Sequence, residues 1–240
     1  MKSFFSYFGS KYSFAGKLYH APRYKTIVEP FAGSAAYAAQ YYDRDVVLCD
    51  KNPIIVGVWD FLIKSTRADI MNIGMIPKGG TVDELKVSQE AKWFVGYWLN
   101  QASPHPRLTA GEWSEWTPRT RARVSSQVDK INHWKVYHCS YENAPVDGPA
   151  TWFIDPPYQE DGKHYKCSAK DIDFPMLGEW CRSRVGQVIV CENQGADWLP
   201  FERLRSTPSA RQDEKKEKSH EVVWYGGVAP SKEPNRDGSV

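Results

Sequence analysis

Long apolar runs are missing from this chain, and none approaches the roughly 20 residues that a membrane-spanning helix needs. The N-terminal M-K-S-F-F-S-Y-F-G-S-K also lacks the sustained apolar core of a secretory leader, so the expectation is a cytoplasmic protein with no membrane partner. Cysteine is scarce and irregular. Its five copies (Cys49, Cys139, Cys167, Cys181, Cys191) are odd in number, scattered and without C-x-x-C spacing, which favours neither a disulfide framework nor a zinc site and fits core thiols in a reducing compartment. The six histidines are equally dispersed and build no Ser/His/Asp or Cys/His nucleophilic set by spacing. An excess of one charge is absent too. With 31 Lys and Arg against 29 Asp and Glu, the net charge of +2 is too even to announce a polyanion partner, and any nucleic-acid surface must be a local patch. Internal repeats are absent.

What is present is a globular composition, 41% hydrophobic and 14% aromatic, over 240 residues. That length suits one α/β domain with an insertion, or two small domains. T-I-V-E-P (26–30) is a short β-type run leading into F-A-G-S-A-A-Y-A-A-Q-Y-Y, which is rich in small residues and then favours helix. V-V-L-C (46–49) ends on Asp50, and I-I-V-G-V-W-D-F-L-I after Pro53 is helical in pattern. Strand, helix, strand, helix is the mark of a parallel sheet. The alternation breaks between about 65 and 135. There Thr81 and Glu84 have capping-box spacing, predicting a helix with Leu85, Val87, Ala91, Phe94 and Trp98 near one face. Thr117-Pro118 reads as the N-cap and first residue of a second helix with a Val124, Val128, Ile131 stripe. Strands resume at 136–139 and 150–155, a helix is predicted over 171–184, and further strands over 187–191 and 221–225.

Three features carry chemistry. In V-E-P-F-A-G-S-A-A-Y, the small residues after a strand let the backbone approach a ligand, with Gly33 as the point of closest approach; the same turn serves equally well as a helix–sheet packing contact. Asp50, roughly 20 residues on at the next strand's end, is where an acid bonds ribose hydroxyls in doubly wound nucleotide sites. Its alternative is to cap the helix near Pro53. Residues 152–158, W-F-I-D-P-P-Y, end a buried run on an acid, two prolines and an aromatic. In an open parallel sheet this stretch falls on the same rim as Gly33 and Asp50. Prolines fix φ and donate no hydrogen bond, so Asp155 and the Pro156 carbonyl offer two acceptors beside the flat face of Tyr158, a set that suits an exocyclic amine on a planar base. Glu192-Asn193, past another strand, either lines this rim or forms an ordinary strand-end turn.

D-P-P-Y, preceded by P-F-A-G-S-A and by an N-terminal Y-F-G-S-K, resembles the N6-adenine DNA methyltransferases of the Dam-like (D12, α-group) class, and the order of motifs matches over nearly the whole chain, to about residue 225. The resemblance implies a Rossmann-like α/β methyltransferase fold dependent on S-adenosylmethionine, with a mostly parallel sheet and a helical target-recognition insert. Residues 1–64 and 136–225 would form the catalytic domain, 65–135 the insert, and 226–240 a disordered tail. It further implies a cofactor site made of Tyr7, Gly9, Lys11, Glu29, Pro30, Phe31, Gly33, Asp50, Asp155 and, by a looser alignment of H-C-S-Y-E-N, Ser140 and Tyr141. Asp155, Pro156, Pro157 and Tyr158 would be the catalytic set, with no metal. The family's F-x-G-x-G is altered here, since Ala35 stands in place of the second glycine.

The implied partner is double-stranded DNA with a flipped adenine, and the chain is expected to act as a monomer. Methylation of adenine in RNA, of cytosine N4, and a non-catalytic binding protein on the same scaffold are the alternatives. Arg119, Arg123, Gln127 and Lys130 share one helical face that could track phosphates or simply be solvated. Arg107, Trp113 and Trp116 in the turn-rich P-H-P-R-L-T-A-G-E-W-S-E-W could enter a groove, or the tryptophans could be core. The charged stretch Arg211 to Lys218 could add phosphate contacts or be plain surface.

Overall fold

The structure is a computed structural model that describes residues 1–11, 15–99, 103–159, 169–204 and 221–230. The expectations for Cys167, for the 211–220 stretch and for the tail beyond 230 lie outside the described residues.

Among the described residues seven strands form one mixed sheet: β1 (Thr26–Glu29), β2 (Asp45–Asp50), β3 (Lys135–His138), β4 (Ala150–Ile154), β5 (Gly186–Asn193), β6 (Glu202–Arg203) and β7 (Glu221–Gly226). Their spatial order is β3-β2-β1-β4-β5-β7-β6. Strands β1 to β5 pair in parallel, and β7 runs antiparallel to both β5 and β6. The chain lays down β1, β2 and β3 in one direction and then returns to place β4 on the other side of β1. That reversal creates the crevice in which open α/β sheets bind ligands, beyond the carboxyl ends of β1 and β4.

The period-2 alternation of the strands divides the core into two layers. Ile27, Leu48, Phe153, Ile189 and Cys191 face one side, packed with Phe4, Phe5, Tyr37, Trp59, Phe94, Val124, Val128 and Ile131. Val28, Trp152, Ile154, Val188 and Val190 face the other, under Leu177 and Cys181 of a helix over Phe174–Ser183. Among the described residues no helix is long and apolar enough to cross a membrane.

The α-helices among the described residues are α1 (Ala15–Leu18), α2 (Pro53–Lys64), α3 (Arg67–Asn72), α4 (Gln89–Gly96), α5 (Pro118–Val128) and α6 (Phe174–Ser183). Asn52 caps α2 through its side chain, which leaves Asp50 free of that duty. Two expectations are corrected. The Ala-rich segment after Gly33 forms only a 3-10 turn, Ala38–Tyr41, because Arg44 already bonds back to Tyr41 to start the return into β2. The Thr81–Glu84 capping box exists, with Glu84 Oε1 accepting the Thr81 N–H at 2.9 Å, but it opens a single 3-10 turn; α4 starts at Gln89 under its own cap, Ser88. The Thr117 cap and Pro118 start of α5 are as the sequence predicts.

Helices α3, α4 and α5 lie between β2 and β3 in the chain and contribute Ile70, Phe94, Val124 and Val128 to the same core as the sheet, and α5 also holds the chain's first residues. Gln127 is buried, accepts the Lys2 N–H at 3.1 Å and donates to the Lys2 carbonyl at 2.9 Å. Arg123 donates to the Ser3 carbonyl at 2.6 Å and lies 5.1 Å over the Trp98 ring, while Trp98 Nε1 donates to the Phe4 carbonyl at 3.1 Å. The clamp orders the segment that carries Tyr7 to Lys11. Replacing Gln127 with Ala removes the two hydrogen bonds to the Lys2 backbone, so urea unfolding should show a loss of about 1 to 3 kcal/mol, about 0.5 to 1.5 for each bond. An unchanged midpoint would contradict the clamp.

Candidate active site

The crevice at the β1/β4 reversal collects most of the residues singled out from sequence. Pro30 to Ala36 leave β1 in a tight loop whose backbone the sheet holds from several sides. Ala32 N–H donates to the Cys49 carbonyl at 2.9 Å, Gly33 N–H to Asp50 Oδ2 at 3.1 Å, and Trp59 Nε1 to the Gly33 carbonyl at 2.8 Å. Asp50 Oδ1 accepts the Asn52 N–H at 2.8 Å, so one carboxylate ties the glycine loop to the start of α2. Gly33 and Ala35 both have positive φ, 42° and 45°. Ala35 is the one non-glycine residue in that region among those described. Its methyl group costs on the order of 1 to 2 kcal/mol in a conformation that glycine takes freely, which is the physical meaning of the alanine standing at the second glycine position.

The N-terminal segment closes over this loop. Ser34 Oγ donates to Ser10 Oγ at 2.8 Å, and a methyl group on Gly33 would lie 3.1 Å from the Tyr7 ring. Tyr7 packs edge-on to Tyr97 at 5.7 Å. Gly9 turns with φ 72° and is exposed. On the opposite layer Phe31 stacks on Tyr141 at 5.6 Å, and Ser140 leads into the 3-10 turn that carries Tyr141. The H-C-S-Y-E-N segment is therefore joined to the loop through one ring pair.

Asp155 to Tyr158 emerge from β4 beside that loop, and a buried ammonium meets them. Lys11 Nζ is 2.9 Å from Glu221 Oε1, 3.7 Å from Asp155 Oδ1 and 4.6 Å from the Tyr158 ring centroid. Burial pulls the Lys11 ammonium down, but Asp155 and Glu221 outweigh it, and its pKa is raised. Asp155 is raised above the usual carboxylate value by burial, with Lys11 opposing. Burial also raises Tyr158, so it stays a neutral phenol at physiological pH. Beyond the motif, the Gln159 N–H donates to Glu192 Oε1 at 2.8 Å. Glu192 is fully buried and its other oxygen accepts the Asn193 N–H at 2.7 Å, so it pins the exit of D-P-P-Y and does not line the rim.

Glu29 is buried at the end of β1, where Oε1 accepts the Ala38 N–H at 2.7 Å and braces the far end of the loop. Burial pushes its carboxyl up to about 8, against the pull of that hydrogen bond, and pushes Asp50 up to about 6.

The residues assigned from sequence to DNA fare unequally. Gln127 is buried and Arg123 is engaged with Ser3 and Trp98, so the shared face of α5 is a correction: two of its four members hold the N-terminal segment. Lys130 is exposed and lies 5.3 Å over the Tyr42 ring, and Arg119 and Arg107 are exposed. The tryptophans divide. Trp116 is core, donating to the Gly74 carbonyl at 2.9 Å, whereas Trp113 is 70% exposed. Sequence reasoning missed Glu221, Tyr19, Trp59 and Tyr97. An acid abutting the apolar run V-V-W-Y was the available signal for Glu221.

Residues 7–90 match the family model of the D12 class N6 adenine-specific DNA methyltransferases. The matched segment contains the Tyr7 to Lys11 segment, the glycine loop and Asp50, and it ends before Asp155; the match supports that family, whose chemistry is methyl transfer to DNA. A solved structure described as a conserved hypothetical protein from Streptococcus pyogenes is matched at 13% identity over 86% of this chain and 90% of that one, with a TM-score of 0.37. No curated protein matches.

Two outcomes test the loop. Gly33→Ala forces a side chain into positive φ against Tyr7, so chemical denaturation should show a loss of roughly 1 to 3 kcal/mol; wild-type stability would refute the loop geometry. Glu29 binds its proton more tightly folded, at about 8, than at its ordinary value near 4.5. Its share of stability is therefore full below about 4.5 and is lost as pH rises to about 8. The melting temperature of Glu29→Gln should fall less than the wild type's across that window, and parallel curves would count against a protonated Glu29.

Proposed function

We propose that this protein is an S-adenosylmethionine-dependent methyltransferase acting on the N6 amine of a flipped adenine in double-stranded DNA. The observation that carries this reading is the convergence of two loops from adjacent strands, Gly33 from β1 and Asp155 to Tyr158 from β4, with Asp50 tied to the first. The family match over residues 7–90 supports it independently of Asp155 to Tyr158.

The cofactor has a fitting cradle. Asp50 keeps acceptor capacity beyond its two backbone bonds, and the Tyr97 hydroxyl is buried with no hydrogen-bond partner among the described residues while lying within the electrostatic reach of Asp50. Tyr7, Gly33, Asp50, Phe31 and Tyr141 would hold S-adenosylmethionine, which when bound supplies an electrophilic methyl group.

The protein's own groups do the rest. An aromatic amine is a weak nucleophile because its lone pair is delocalised into the ring. Asp155 and the Pro156 carbonyl, each accepting one N–H, favour a pyramidal nitrogen and stabilise the positive charge that grows on it. Asp155 need not be a strong base, since the nitrogen becomes acidic only as it is alkylated. Tyr158 stacks on the extruded base, offsetting by about 1 to 3 kcal/mol part of the unstacking cost. Arg107, Arg119, Lys130 and Trp113 are exposed, which supports a role in meeting the duplex, the basic side chains at phosphates.

Asp155→Ala should abolish incorporation of labelled methyl into DNA, a loss of at least about a hundredfold, while the melting curve and cofactor affinity stay near wild type. Transfer at the wild-type rate would refute the assignment.

A further inference from the structure

The antiparallel course of β7 has a chemical result. Parallel strands all end on the ligand rim, but an antiparallel strand begins there, so the first residue of β7, Glu221, pairs with Asn193 at the end of β5 and projects among the site groups. Its carboxylate is held at both oxygens. Oε1 takes the Lys11 ammonium at 2.9 Å, and Oε2 accepts the Tyr19 hydroxyl at 2.8 Å. Tyr19 is packed edge-on to Phe153 of β4, two residues before Asp155, with ring centroids 5.1 Å apart. The carboxylate is thereby fixed relative to the strand that carries the proposed acceptor.

We propose that Glu221 is a positioning residue for methyl transfer, holding the Lys11 ammonium where Asp155 feels its charge but keeps its acceptor oxygens open to the substrate amine. The two distances carry this. At 2.9 Å the Glu221 contact is a charge-assisted hydrogen bond, whereas 3.7 Å to Asp155 is beyond hydrogen-bond range. Coulomb attraction falls only inversely with distance, so most of it survives that separation. Asp155 gains the counter-charge a partly buried carboxylate needs while the Lys11 ammonium stays outside hydrogen-bond distance of the oxygen it faces. Without Glu221, Lys11 has one carboxylate left, and it closes onto Asp155 as a competitor of the substrate N–H.

The groups facing Asp155 are Lys11 from the N-terminal segment, Tyr158 from its own loop, Glu29 from β1, Cys191 and Glu192 from β5, Glu221 from β7 and Tyr19 after α1. Glu221 opposes Lys11 in setting the Asp155 proton affinity, so removing its charge and releasing Lys11 act in the same direction.

The role rests on the methyltransferase reading, and the test separates the two. In the full chain carrying 13C-labelled aspartate, the Asp155 carboxyl of Glu221→Gln should titrate at least about half a pH unit below wild type. In transfer assays kcat should fall at least about tenfold, with the acid limb of its pH profile moved down and the DNA KM and S-adenosylmethionine affinity within about twofold of wild type. Tyr19→Phe should give the same changes at smaller size, and it decides the matter if Glu221→Gln does not fold. An unmoved Asp155 titration overturns the proposal, as does a lowered titration with an unchanged kcat. A wild-type protein that transfers no methyl group to any DNA overturns the functional reading instead, while the Asp155 titration still judges the Lys11 geometry.

Discussion

A buried ammonium decides how this site is built. Lys11 is 5% exposed and reaches elements that are far apart in the chain: the end of β4 at Asp155, the start of β7 at Glu221 and the ring of Tyr158. Take it away and two carboxylates face each other in a partly desolvated crevice, where each would be driven to protonate. Its delivery depends in turn on the N-terminal segment, which α5 holds through Gln127 and Arg123. Helix α5 thus contributes to the crevice through the chain it anchors.

Around that charge the sheet supplies the constraint of direction. Loops after β1 and β4 meet because these strands are neighbours running the same way, and β7 can add Glu221 because it runs the other way. Strain and hydrogen bonding are concentrated at the same place. Ala35 sits in a conformation suited to glycine, while Asp50, Glu29 and Trp59 hold the loop on either side of it. A loop over-determined in this way can keep an unfavourable residue.

Much of this was legible in the sequence because it rests on local rules. Strands β1 to β5 and β7, the helix starts near Pro53 and at Thr117-Pro118, and the rim position of Asp50 and Asp155 follow from periodicity, capping and the geometry of parallel sheets. What was not legible depends on partners distant in sequence. Helical spacing put Arg119, Arg123, Gln127 and Lys130 on one face, but a spacing rule names faces and not occupants, and Gln127 meets Lys2 from 125 residues away. Glu221 and Tyr19 meet across 202 residues. The Ala-rich stretch after Gly33 promised a helix, and the short path back to β2 left room for one turn. The two-residue β6 is too short to carry a pattern.

The central claim is that the two acceptors at the end of β4 and the cradle after β1 serve methyl transfer to adenine N6. Its most direct measurement is mass spectrometry of nucleosides from duplex DNA incubated with the purified protein and S-adenosylmethionine. The account predicts N6-methyladenine as the new nucleoside, appearing in the wild type and not in a control lacking the cofactor. Methylated cytosine in its place, or no methylated nucleoside on duplexes of diverse sequence, would contradict it.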